Sequence, residues 1–149
     1  MATIQLAPDF KDFLQLLNEE KVEYLLVGGY AVGFHGYPRA TKDMDIWVAI
    51  NPENAERLVR VFRRFGFSPK SISLASFLNE KKVIEIGIDP VRIDVIMSIS
   101  GISFSECYAQ KVDFVYEGIN INLINLEHLK INKRATGRLR DLADVEELP

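Results

Sequence analysis

Apolar positions along the chain fall into short runs, and their spacing changes from one run to the next. Phe10, Phe13, Leu14 and Leu17 recur at helical spacing, which predicts a first helix capped by Asp9 and reaching about Glu20. "VEYLLV" (Val22 to Val27) is continuously apolar and closed by Gly28-Gly29, the pattern of a buried strand. A short helix around Tyr30 to His35 is expected next, broken by Gly36 and Pro38. "MDIWVAI" (Met44 to Ile50) reads as the second strand. Asn51 then caps a helix with Pro52 in its first turn and Gly66 at its end.

Beyond Gly66 the runs shorten. Ser73 to Asn79 suits a short helix, while "KVIEIGI" (Lys82 to Ile88) and "VRIDVIM" (Val91 to Met97) flank Asp89-Pro90 as a hairpin. A helix near Phe104 to Lys111 precedes strands near Val112 to Val115 and Ile119 to Ile124, joined through "YEGIN". Asn125 is placed to cap a helix reaching about Ala135. A last helix follows Gly137, with Leu139, Leu142 and Val145 as its expected core contacts. Interspersed strands and helices with a hairpin predict an α+β (α/β) fold, a mixed central sheet flanked by helices. No repeat or Gly/Ser-rich linker divides it, so one domain over residues 1–149 is expected.

Composition narrows the setting without naming a function. Apolar residues make up 48% and charged residues 26%, ordinary values for a globular chain. A net charge of −3 gives no global attraction to nucleic acid, although a local basic patch could still supply one. Cys107 is the single cysteine, which excludes an internal disulfide and points to a reducing compartment and a buried, inert thiol. "MATIQLAPDF" lacks the basic and apolar regions of a signal peptide, and no apolar run approaches a membrane span. A cytoplasmic protein without membrane partners is expected.

Three carboxylates supply the candidate chemistry. Strand alternation puts Asp43 and Asp45 on one face about 7 Å apart, where they repel unless a cation lies between them. Asp94 interrupts the apolar alternation of a later strand and shares its face with Arg92, so it either pairs with a cation or joins the same site. Three acids on two neighbouring strands would suit a pair of hard divalent ions, and Mg²⁺ favours such ligands alongside water and phosphate oxygens. If the first two strands run antiparallel, Gly28 and Gly29 meet the acids at one sheet edge, where glycine permits close backbone approach to an anion. The alternative is a solvated strand end and a plain tight turn. Trp47 fits an interior aromatic better than a base-stacking one. His35 and His128 lack metal-ligand spacing and suit cap or surface roles.

The order Gly28-Gly29, a short helix, "RATKDMDIWV" and a later strand Asp resembles the DNA polymerase beta-type nucleotidyltransferase superfamily. More narrowly, "VGGYAVGFHGYPRATKDMDIWV" with the late "LKINKRATGRLRDLADVEEL" is similar to small prokaryotic single-domain members related to the AbiEii toxin family and, more distantly, to lincosamide-type nucleotidyltransferases. The resemblance implies two Mg²⁺ ions held by Asp43, Asp45 and Asp94, a nucleoside triphosphate (NTP) as substrate and a hydroxyl acceptor: an RNA end such as that of tRNA, a protein side chain or a small molecule. It also implies a toxin–antitoxin or defence setting, with a non-catalytic partner subunit of the same fold as the alternative. Position 29 is Gly where many relatives carry Ser, which leaves backbone amides to meet phosphate.

Lys130, Lys133, Arg134, Arg138 and Arg140 form a basic segment without an acid. The resemblance places a phosphate-binding lysine at Lys133, with Arg39 and Lys42 as weaker candidates. A solvated basic helix end offsetting Asp141 and Asp144 is the competing reading.

Overall fold

The computed structural model describes residues 6–67, 72–88 and 91–149. The first five residues and the Asp89-Pro90 turn therefore lie outside the described residues. The elements, in order, are α1 (Pro8–Glu19), β1 (Tyr24–Val27), α2 (Gly28–Phe34), β2 (Asp43–Val48), α3 (Pro52–Arg64), a 3₁₀ turn (Leu74–Phe77), β3 (Val83–Ile88), β4 (Val91–Ile96), α4 (Phe104–Ala109), β5 (Val112–Tyr116), β6 (Ile119–Leu123), α5 (Leu126–Thr136) and α6 (Leu139–Glu147).

The strands form one mixed sheet in the order β3-β4-β2-β1-β6-β5, flanked by helices. Hairpin neighbours β3/β4 and β5/β6 are antiparallel, as is β1/β2, whereas β2/β4 and β1/β6 are parallel. Burial follows this order. All four residues of β1 are buried, which explains its unbroken apolar run, while edge strand β5 is largely exposed. The α1 stripe of Phe10, Phe13, Leu14 and Leu17 is fully inside. Phe13 meets Phe62 and Phe65 edge-to-face at ring separations of 5.8 and 5.2 Å, locking α1 against α3.

Capping follows local chemistry with one correction. Asn51 accepts a hydrogen bond from the Asn54 backbone N–H at 2.8 Å, and Asn125 accepts one from that of His128 at 2.7 Å, so both asparagines start their helices as expected. Asp9 does not cap α1. The cap is Ala7, Pro8 takes the first helical position, and Asp9 sits in the first turn, where its charge still favours the helix dipole. Helix α2 begins at Gly28 itself, two residues before the expected Tyr30, and β2 starts at Asp43 rather than Met44. Ser73 to Asn79 tightens to a single 3₁₀ turn.

The last helix corrects the sequence reading more deeply. Leu139 and Leu142 are not core contacts: Leu139 is 85% exposed and Leu142 39%. Helix α6 instead turns Asp141 and Asp144 inward, at 4% and 2% exposure, where cations from α5 and the α2–β2 loop meet them. Ion pairing outweighed the burial of two leucines in orienting this helix. No helix among the described residues is long and apolar enough to cross a membrane.

Candidate active site

The central strands assemble the site through register. Antiparallel pairing sets Val27, the last residue of β1, opposite Asp45, so the chain turns into α2 beside that carboxylate. Gly28 has φ +70°, and a Cβ there would fall on Asp45 Oδ2, so backbone geometry and space both require glycine. Parallel pairing of β2 with β4 sets Asp43 opposite Arg92 and Asp45 opposite Asp94. The three acids and the glycine turn thus reach one sheet edge, where they line a cavity of about 700 Å³. That juxtaposition meets the expectation drawn from antiparallel first strands.

Arg92 organises two of the acids. Its Nη2 donates to Asp43 Oδ2 at 2.7 Å and to Asp94 Oδ2 at 3.1 Å, and its Nε donates to Asp94 Oδ1 at 3.1 Å. Asp43 Oδ1 is buried with no hydrogen-bond partner. Asp45 is the least compensated of the three. Burial, then the neighbouring charges of Asp94 and Asp43, push its carboxyl up to about 7 against the weaker pull of Lys133 and Arg92. Asp94 itself is only 8% exposed, so its pairing with Arg92 is not a solvated surface pair.

An orphaned carboxylate oxygen and an acid starved of countercharge are the donor chemistry a hard divalent cation satisfies. Among the described residues no group of three His, Cys, Asp or Glu side chains is gathered closely enough to hold a metal ion unaided. Mg²⁺ does not require such a cage, since one or two carboxylates suffice when water and phosphate oxygens complete the octahedron. The residues fit on those terms.

The cavity also has basic residues in its lining. Arg39, Lys42, Lys133, Arg138 and Arg140 all border the same cavity. Lys133 is not a solvated helix end: at 5% exposure its ammonium donates to Asp141 Oδ1 at 2.7 Å and lies 3.2 Å from Asp144 Oδ2. Arg39 grips Asp144 bidentately through Nε at 2.8 Å and Nη2 at 2.9 Å. Thr136 Oγ1 and Arg138 Nε donate to Asp141 Oδ2 at 2.6 and 2.8 Å. Both proposed phosphate cations, Lys133 and Arg39, therefore arrive pre-oriented by buried acids.

Position 29 reveals a contact that spacing alone could not show. A Cβ on Gly29 would lie 2.6 Å from Thr41 Cγ2 and 2.7 Å from Thr41 Oγ1, so Thr41 fills the space a side chain at 29 would need. The remaining candidates settle into structural roles. Trp47 is 2% exposed and meets Phe104 edge-to-face at 5.1 Å. The His35 ring is hydrogen-bonded through Nε2 to the Ile124 carbonyl at 2.6 Å. Cys107 is fully buried, and burial pushes its thiol up to about 11, as an inert thiol requires.

Neither a family model nor a curated protein sequence matches the chain. Solved structures do. A proposed nucleotidyltransferase from Thermotoga maritima superposes with a TM-score of 0.63 at 19% identity, covering 96% of this chain and 94% of its own. An antigenic nucleotidyltransferase-like protein from Paracoccidioides brasiliensis gives 0.56 at 14% identity, covering 95% of this chain and 76% of its own. The fold is that of nucleotidyltransferases. At these identities the likeness concerns architecture, and the nucleotidyltransferase fold accounts for the mixed six-stranded sheet with helices on its flanks.

Proposed function

We propose that the protein is a Mg²⁺-dependent nucleotidyltransferase that moves a nucleoside monophosphate from an NTP to a hydroxyl acceptor. One observation carries this reading: Asp45 and Asp94, brought into register by β2 and β4, stand beside the Gly28 turn in a cavity that Arg39, Lys42 and Lys133 also line. Asp43 and Asp45 would hold the metal ions, with Asp94 completing the set. Two Mg²⁺ ions, when bound, supply charge neutralisation at both the attacking and leaving oxygens. The basic lining residues, chiefly Lys133 with Arg39 and Lys42, orient the triphosphate. Asp94 accepts the proton of the acceptor hydroxyl as its oxygen bonds to the α-phosphorus and the bond to pyrophosphate breaks.

The sequence motifs extend the proposal to the small prokaryotic branch related to AbiEii, to a cytoplasmic toxin–antitoxin or defence setting, and to acceptors such as a tRNA end or a partner protein. Incubation with each labelled NTP, Mg²⁺ and cell extract tests it. Asp43→Ala and Asp45→Ala should abolish labelling while circular dichroism stays native, and undiminished labelling in the double variant would refute the assignment. A non-catalytic nucleotide-binding subunit is favoured by one feature, the Arg92 bridge that already neutralises part of the acid cluster. Nucleotide affinity that does not respond to Mg²⁺ would support that reading instead.

A further inference from the structure

Arg92 engages three carboxylate oxygens that the proposed metal site would call upon: one from Asp43 and both from Asp94. Its placement follows from two registers at once. On β4 it alternates to the face of Asp94, and across to β2 it stands opposite Asp43. A guanidinium is a planar cation suited to forking between carboxylates, so it takes the position a divalent ion would claim between these two acids. Arg92 remains partly open, with a third of its side chain exposed, so it has room to leave.

A second acceptor lies within its reach along the sheet. Glu85 on β3 is directly opposite Asp94 and therefore shares the face of Arg92, and its charge already acts on the guanidinium. Glu85 is exposed and does not border the cavity. Arg92 thus stands between an inner pair of acids and an outer one.

We propose that Arg92 is a resident counter-cation, holding Asp43 and Asp94 until a divalent ion displaces it, and that Glu85 receives the displaced guanidinium. This rests on the metal-site reading given above. The arrangement offsets the repulsion between Asp43 and Asp94 and sets a threshold that the metal, or the metal with its nucleotide, must exceed. It makes two substitutions of opposite charge act in opposite directions. Removing Arg92 removes a competitor, and neutralising Glu85 removes the competitor's alternative seat.

Mn²⁺ binding to the full chain, followed by the loss of the free-ion paramagnetic resonance signal, reads this without turnover. Arg92→Ala should bind Mn²⁺ about tenfold tighter than the parent, and Glu85→Gln about threefold weaker, the scale of coupling within one ion-pair network. Arg92→Lys keeps the charge but cannot fork between two acids, so it should fall between parent and Arg92→Ala. In the Arg92→Ala background, Glu85→Gln should lose most of its effect, a coupling that simple loss of one negative charge would not produce. Equal or weaker binding by Arg92→Ala, or a Glu85→Gln penalty undiminished in that background, would overturn the displacement. If the parent binds Mn²⁺ no better than Asp43→Asn/Asp45→Asn does, the metal-site reading itself falls, and the displacement with it.

Discussion

Two charge clusters border the cavity, one on the sheet and one between the last two helices, and they are balanced in opposite ways. On the sheet, one cation, Arg92, bonds Asp43 and Asp94, while Asp45 feels it only at a distance. Between the helices, Asp141 and Asp144 share three, Lys133, Arg39 and Arg138, with Thr136 adding a hydroxyl. The titration of each cluster records the difference. Asp45 is pushed up to about 7 by burial and by its acidic neighbours, whereas Asp141 is held below its ordinary value because Lys133, Thr136 and Arg138 outweigh its burial. A fully partnered cluster stabilises structure, and an under-partnered one is where an added cation gains most.

Breaking a partner on each side should expose that contrast most sharply. Asp144→Ala strands Arg39 in a largely buried place and leaves Lys133 with Asp141 alone, and should cost about 3–5 kcal/mol in urea unfolding. Asp43→Asn should change stability by no more than about 1 kcal/mol, because it relieves repulsion as it loses a pair, while abolishing the nucleotidyl transfer proposed above. A smaller effect comes with a sign that depends on pH. Because the folded value of Asp45 lies above the unfolded one, its favourable contribution is complete below about pH 4 and disappears as pH rises through about 7. Asp45→Asn should therefore stabilise the ligand-free protein by roughly 1–3 kcal/mol at pH 8 and by nothing at pH 4. Asp141 runs the other way: its contribution is present above the ordinary carboxylate range and is lost as pH falls through its depressed value, so Asp141→Asn should cost most at neutral pH. Thermal melts across about pH 4–8 would follow the Asp45 variant, and melts extended to about pH 2 would follow the Asp141 variant. Smallest of all, Arg138→Ala should cost under about 1 kcal/mol although it touches the same carboxylate as Lys133, since Arg138 is 75% exposed.

The elements and the three acids were readable because they depend on short-range rules. Periodicity marked the α1 stripe, Asn51 and Asn125 announced their helices, and alternation put Asp43 and Asp45 on one face. What escaped depends on long-range pairing. The sheet order, and with it the Arg92 bridge to Asp43, comes from a parallel register between distant segments. Alternation did reveal that Arg92 and Asp94 share a face, which was the available signal. Thr41 filling the space over Gly29 had no signal in spacing at all. Helix α6 misled because a Leu139, Leu142 and Val145 stripe fits burial, and only partners elsewhere in the chain draw Asp141 and Asp144 inward instead. Apolar periodicity assumes that oil decides a helix's orientation, and here charge does.

The parallel pairing of β2 with β4 has a consequence for how the protein comes into being. Two carboxylates leave the ribosome early, while their companion and its guanidinium follow only after α3 and the β3 arm have been made. A nascent chain that stops short of β4 carries an acidic pair with neither its counter-ion nor its third member. Assembly of the proposed site is therefore deferred by chain order, so a ribosome-tethered chain that ends before β4 would hold only its first two acids.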